Sequence, residues 1–255
     1  MIDFHHHLGV DLDAYLEVLS RNNIEKAVLM PYDFGELSEK EAYLASFSPL
    51  KTKEYINCFL KQLGRINEEL YNKTLGIEKI IFTPWLSPEC SDLSSFTHAK
   101  VVKFVPIFDN LNEDYFQRIE PLIEEAINNG AIVMIHTGWG ANVQPVISLA
   151  EKFPLGKFVI AHMKEDDDSY NYWREKALAL KNVYCEISYF PHPKRIANYA
   201  KKGLAEKLLF GSDFRKLEDE QTIRGYSAMV NEADMSEEQK KGIFKDNALN
   251  LLGIN

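Results

Sequence analysis

Four stretches of this chain end in residues that hold metal ions or move protons. The first, IDFHHHLG, sets Asp3, His5 and His7 at alternate positions. Alternate side chains of an extended strand share a face, so these three fall on one side and Phe4 and His6 on the other. Two imidazoles at i and i+2 on the inner face of a strand's end can reach one ion, with His6 turned into the surrounding layer. An HxH pair alone is more often packing or surface than a ligand pair, but apolar Ile2, Phe4 and Leu8 argue against a purification tag or solvated tail. The case strengthens because His136 closes VMIHTG, His162 closes VIAHM and Asp213 lies in LLFGSDF, each at the end of a separate apolar run. Zinc takes imidazole nitrogen and carboxylate oxygen, and a catalytic site needs three or four protein ligands plus an open position. His5, His7, His136 and Asp213 meet that need. Zinc is the ion expected, and manganese, iron and cobalt accept the same donors.

Such residues converge only if the elements carrying them share an orientation. Short β-branched runs recur at 1–7, 26–31, 78–86, 101–108, 131–138, 157–163, 182–188 and 207–213. Helical patterns lie between them, the clearest being NEDYFQRIEPLIEEAINNG, where Phe116, Ile119, Leu122, Ile123, Ala126 and Ile127 fall on one face and Gly130 supplies a stop. Strand starts near 101, 131, 157, 183 and 208 are 30, 26, 26 and 25 residues apart, the length of a strand plus a crossover helix. Eight such units predict an α/β fold of the (β/α)8 TIM-barrel type, whose chemistry sits at the C-terminal rim of the strands. An open doubly wound sheet is the competitor, disfavoured by the strand count. SEEQKKGIFKDNALNLLG reads as a closing helix. About 45 residues separate the second and third strands, and YDFGELSEKEAYLASFSPLKTKEY is predicted to cap the barrel mouth, which makes the barrel a distorted one.

Composition narrows the partners. The chain has 255 residues, is 45% apolar, and carries 29 Lys and Arg against 38 Asp and Glu, a net charge of -9. That size suits one domain over 1–255, and the acidic balance disfavours nucleic acid. No 18-residue apolar run and no signal peptide are found, so neither membrane association nor secretion is expected and a cytoplasmic location is. Cys58, Cys90 and Cys185 form no CxxC pair and read as reduced thiols.

Together, IDFHHHLG, VMIHTG on the fifth strand, VIAHM on the sixth, LLFGSDF on the eighth and the terminal IFKDNALNLLG resemble the amidohydrolase superfamily, and within it the small amidohydrolase-2 branch. That branch contains hydrolases and nonoxidative decarboxylases. The resemblance spans nearly the whole chain and implies a metal held by His5, His7, His136 and Asp213. It makes Asp213 the group that takes a proton from the attacking water and returns it to the leaving group. It places His162 beside the water or substrate, stabilising a developing oxyanion. Asp3 is expected to orient a histidine from behind. With HxH at position 5, the accessory β-sandwich of larger relatives is not expected.

Lys103, on the fourth strand, stands where some relatives carry a carboxylated lysine bridging two metals. Its setting in VVKFVP resembles single-metal relatives instead, so one ion is expected, with Lys103 in an internal ion pair or on the substrate. Glu186 shares parity with Ser188 and faces the interior, with Lys103 as candidate partner. KEDDDS reads as a helix N-terminus with Asp168 or Ser169 as cap. Lys164 and Arg215 depart from the family pattern, in which a small residue often follows the sixth-strand histidine and proline ends GSDxP. They are expected either to bind a substrate carboxylate or to pair with Asp166 or Asp219. Trp85, Trp139 and Tyr189, just past strand ends, line a pocket for a flat or apolar substrate or serve ordinary packing. His98 and His192 stand outside the site.

The function expected is metal-dependent hydrolysis of a small amide, ester or lactone. Nonoxidative decarboxylation of an unsaturated or aromatic acid is the second reading, and a barrel keeping an ion for stability or sensing the third. DNA-directed phosphodiesterase barrels also begin with HxH but carry a glutamate on the fourth strand, where this chain has Lys103. A small-molecule substrate and a homodimer complete the expectation.

Overall fold

The computed structural model describes residues 1–8, 11–31, 49–88, 97–106, 114–137, 142–162, 168–189 and 192–254. Among them, nine parallel strand segments fill eight positions of a barrel: β1 (Ile2–Leu8), β2 (Lys26–Pro31), β3 (Ile80–Phe82), β4 (Trp85–Leu86), β5 (Val101–Phe104), β6 (Ile132–His136), β7 (Lys157–Ala161), β8 (Val183–Glu186) and β9 (Leu208–Leu209). β3 and β4 share one position, interrupted at Thr83 and Pro84, where proline has no N–H to give the ladder. β3 pairs with β2, and β4 with β5. The ring closes where the chain after β9 meets β1: Phe4 N–H donates to Phe210 O at 2.8 Å, Asp213 N–H to His5 O at 2.9 Å and His7 N–H to Phe214 O at 2.7 Å. The TIM barrel expected from the sequence is the fold observed.

Alternation along each strand divides the apolar residues in two. Ala27, Leu29, Val102, Val133, Phe158 and Cys185 join the layer between strands and helices. Phe4, Val28, Val101, Ile132, Met134 and Val159 join a second cluster that fills the lumen, with Ala248, Leu251 and Leu252 packed on it. The last three belong to the closing segment, Glu237–Lys241 and Asn247–Leu252 joined by a π turn over Gly242–Asp246. It is helical as expected, and it places an apolar plug beneath the chemistry.

The outer helices are α1 (Leu12–Arg21), α2 (Pro49–Thr74), α3 (Tyr115–Asn128), α4 (Gln144–Lys152), α5 (Asp168–Ala179), α6 (Pro193–Lys201) and α7 (Glu220–Glu232). Much of the long second connection is α2, a 26-residue helix; the expected cap over the mouth falls largely on residues 32–48, outside the described residues. α5 begins at Asp168, so Asp168 and Ser169 lie inside its first turn. No described helix is long and apolar enough to cross a membrane.

The first and last of these outer helices are also tied. Glu220, at the start of α7, accepts from Arg21 at 3.0 Å, Asn22 at 2.9 Å and Arg224 at 2.9 Å. These hydrogen bonds, Arg21 first and then Asn22, pull its carboxyl down to about 2. A carboxyl depressed in the folded state stabilises above its unfolded value and loses that contribution as pH falls through the folded one. Because Arg21 and Arg224 are 48% and 68% exposed, solvent screens the pairs. Glu220→Gln is therefore expected to cost about 1 kcal/mol near neutral pH. In urea unfolding that difference should shrink as pH falls from about 4.5 toward 2, and a pH-independent difference would contradict the assignment.

Candidate metal centre

β1 is not a regular strand. Asp3 lies opposite Ala27 and His6 opposite Leu29, so Phe4 and His5 together face Val28, the two-against-one count of a β-bulge. The extra residue reverses parity: Phe4 joins the lumen cluster and Asp3 turns to the helix side. The expectation that Asp3 shares a face with His5 and His7 is corrected accordingly. Asp3 Oδ2 sits 2.7 Å from His6 Nε2, and Tyr15 Oη 2.9 Å from His6 Nδ1. Asp3 Oδ1 accepts from the backbone N–H groups of His5 and Ser212, at 3.1 and 3.0 Å. Asp3 thus fixes the ends of β1 and of the eighth position and holds the outward His6, not a lumen histidine.

Above the apolar plug the lumen turns polar. His5 Nε2 lies 3.3 Å from His7 Nε2 and 3.4 Å from Asp213 Oδ1, and His7 Nε2 lies 3.2 Å from the same oxygen. Donor atoms about 2.0–2.1 Å from a tetrahedral ion stand about 3.3–3.4 Å apart, so this triangle matches one face of such a site. The donors are also of the right charge type. Burial, reinforced by Lys103, holds His5 and His136 well below the usual imidazole value, and burial with His136 does the same for His162. Burial alone would raise the Asp213 carboxyl, but the neighbouring His5, Arg215 and His7 outweigh it and hold it well below the carboxylate range. Neutral imidazoles and an ionised carboxylate are the forms a divalent ion requires.

His136 is not part of the His5, His7 and Asp213 group. Its Nδ1 is 3.0 Å from His162 Nε2, and the two rings meet edge to face with centroids 4.6 Å apart. His162 is 1% exposed, with Nδ1 2.7 Å from Ser188 Oγ. Its Nε2 is therefore directed at His136. Glu186 gathers this side: His5 Nδ1 is 2.9 Å from Oε1, and the carboxylate accepts from His162 N–H, Ser188 N–H and Ser188 Oγ, each at 2.7 Å. Burial raises the Glu186 carboxyl to about 7 against these bonds, and burial lowers Lys103 to about 8 against the pull of Glu186 and Asp213. Lys103, 1% exposed, places Nζ 3.2 Å from His5 Nε2, so its direct contact is a histidine and its two carboxylates act through space.

Three strand-end residues adopt left-handed backbone: His162 at φ 69°, Tyr189 at 58° and Asp213 at 53°. Each costs about 1–3 kcal/mol outside glycine and persists only where its surroundings over-determine it. Here each N–H is held, by Glu186 Oε1, by Tyr226 Oη at 2.9 Å and by His5 O at 2.9 Å. Parity with Glu186 signals Ser188 in the sequence, whereas nothing there signals Tyr226.

The remaining expected residues divide. Tyr189 reaches the centre, hydrogen-bonded to Asp213, with its ring 5.1 Å from that of His162. Arg215 pairs with Asp213 Oδ2 at 2.9 Å, in place of Asp219, with 27% of its side chain exposed. Trp85 does not line the mouth. The chain re-enters the barrel wall at Trp85 after the Pro84 interruption, and the indole packs, 1% exposed, among Leu60, Leu63 and Val105. Lys164 and Trp139 lie outside the described residues, as does Asp166. His192 caps α6, accepting from Lys194 N–H.

The comparisons fit this geometry. The family model described as amidohydrolase matches residues 96–254, more than half of the chain, including His136, His162 and Asp213. The chain belongs to the amidohydrolase family. It falls in the amidohydrolase-2 branch, a family of metal-dependent enzymes, and the buried His5, His7 and Asp213 group suits it. No curated protein matches. Among solved structures the chain is similar to a probable 2-pyrone-4,6-dicarboxylic acid hydrolase from Acinetobacter baumannii with citric acid bound, at 14% identity and TM-score 0.64 over 99% of each chain. It is similar to an uncharacterised TIM-barrel protein from Bordetella bronchiseptica, at 15% identity and TM-score 0.68 over 99% of this chain and 98% of that one. It is also similar to 2,6-dihydroxybenzoate decarboxylase from Rhizobium, at 11% identity and TM-score 0.66 over 99% and 98%. At such identities the likeness is one of fold.

The placement of Trp85 has a direct check. Trp85→Ala is expected to destabilise the protein by about 3–5 kcal/mol in urea unfolding through the cavity it leaves. A variant that keeps its stability and instead loses substrate affinity would return Trp85 to the pocket.

Proposed function

We propose that this chain is a metal-dependent hydrolase that cleaves the C–N or C–O bond of an amide, ester or lactone in a small anionic metabolite. The observation that carries the reading is the buried triangle of His5 Nε2, His7 Nε2 and Asp213 Oδ1, with 3.2–3.4 Å edges. His5, His7, His136 and Asp213 would hold one divalent ion, zinc before manganese, iron or cobalt. When bound, such an ion polarises a substrate oxygen and acidifies a water. The chain's own residues supply the rest. Asp213, ionised and at the rim, accepts a proton from the attacking water and passes it to the leaving nitrogen or oxygen. Arg215 and Tyr189 both touch Asp213, fixing its carboxylate and bordering the place where substrate must lie. Arg215, with 27% of its side chain exposed, favours a substrate carboxylate in a chain of net charge -9. The apolar plug beneath keeps water from entering the lumen from below.

Nonoxidative decarboxylation of a small unsaturated or aromatic acid is the second reading, favoured by the fold shared with 2,6-dihydroxybenzoate decarboxylase. In that reaction Asp213 would deliver a proton to the carbon that loses its carboxylate.

Zinc-loaded protein offered small carboxylated lactones, amides and esters in ¹⁸O-water separates the two. Hydrolysis puts one ¹⁸O into the product; carbon dioxide release with no ¹⁸O in the remaining product establishes the decarboxylase. Asp213→Asn is expected to lower kcat by about 10²–10⁴ in either case. Arg215→Ala should raise KM far more for the anionic substrate than for its neutral amide analogue, and equal effects would remove Arg215 from substrate binding.

A further inference from the structure

The geometry points to Glu186 as the positioning residue that sets which nitrogen of three lumen histidines carries the proton, directly at His5 and through Ser188 at His162 and His136. Its purpose rests on the metal-binding reading; its wiring rests on hydrogen-bond logic alone.

Backbone N–H groups can only donate. Glu186 receives one on each oxygen, from His162 at Oε1 and from Ser188 at Oε2, both at 2.7 Å. With those donors on both oxygens the group is best satisfied as an acceptor, so the two remaining neighbours must donate to it as well. His5 Nδ1, 2.9 Å from Oε1, therefore carries its proton there, and Nε2 is bare. A second contact is compatible: as an ammonium, Lys103 has only donors to offer, and its Nζ lies 3.2 Å from His5 Nε2.

The second arm runs through one hydroxyl. Ser188 has a single O–H and directs it at Glu186 Oε1, 2.7 Å away. Its oxygen must then accept at 2.7 Å from His162, which places the His162 proton on Nδ1. A neutral His162 so protonated is an acceptor at Nε2, and His136 Nδ1, 3.0 Å distant, donates into it. That leaves His136 unprotonated at Nε2. His7 is set separately, its Nδ1 bonded to Pro31 O at 2.6 Å. The outcome is that His5, His7 and His136 are all bare at Nε2, the form in which imidazole binds a metal. Each of those protons follows from a backbone group or from Glu186.

The fold holds Glu186 in place. A Cβ on Gly211 would collide with Oε2 of Glu186, so this close approach requires glycine. The glycine of the LLFGSDF motif thereby acquires a physical reason.

Long-range ¹H–¹⁵N correlation spectra of metal-free, ¹⁵N-labelled protein in mildly alkaline buffer report the tautomer of each histidine. Wild type is expected to show His5, His7, His136 and His162 protonated at Nδ1. Ser188→Ala should release His162 and His136 to mixed tautomers while leaving His5 and His7 unchanged, and Glu186→Gln should disturb His5 as well. Zinc affinity should fall about 10–100-fold in Glu186→Gln and recover in part in Glu186→Asp. Protonation of His162 or His136 at Nε2 in wild type overturns the inference, even if the variants do not fold. Expected tautomers in a protein that takes up no zinc would uphold the wiring and defeat the metal-dependent reading, so the two fail separately.

Discussion

Two bare imidazole nitrogens and a carboxylate oxygen held within 3.4 Å of one another in a buried lumen repel unless positive charge lies among them. The rest of the structure makes that crowding possible. Each of the three atoms is delivered by the one barrel seam where the first and eighth positions close, and the Asp213 N–H to His5 O bond stitches ligand-bearing backbone to ligand-bearing backbone. Within the protein, Lys103 and Arg215 supply cationic charge from either side, at His5 and at Asp213.

Strain and burial are concentrated at the same place. The bulge in β1, the Pro84 interruption and three left-handed residues are all departures from regular barrel geometry. The bulge turns Asp3 away and lets Phe4 seal the lumen beneath His5. The left-handed residues re-aim His162, Tyr189 and Asp213 after their strands end. At each of the three left-handed residues the N–H is held by a hydrogen bond, which fixes the irregular backbone.

The barrel was legible because its signal is long-range and redundant: recurrent apolar runs at near-constant spacing, with helical patterns between. The convergence of His5, His7 and Asp213 followed from strand ends sharing a rim. Asp3 was misplaced because period-two reasoning breaks when one residue is inserted, and a bulge leaves no composition signal. Of the two readings of Trp85, packing is the one the structure favours, because the third strand resumes after a proline that reads from sequence as a strand's end. The partners of Glu186 were hidden because they are mainly backbone groups and a histidine from distant strands. Tyr226, on an outer helix, reaches Tyr189 by tertiary packing alone.

The central claim is that the triangle between β1 and the end of the eighth position holds a divalent ion. Anomalous diffraction at the zinc edge from zinc-equilibrated crystals tests it most directly. The account expects one peak about 2.0–2.2 Å from His5 Nε2, His7 Nε2 and Asp213 Oδ1. A map without that peak, with Lys103 Nζ still seated against His5, would contradict it.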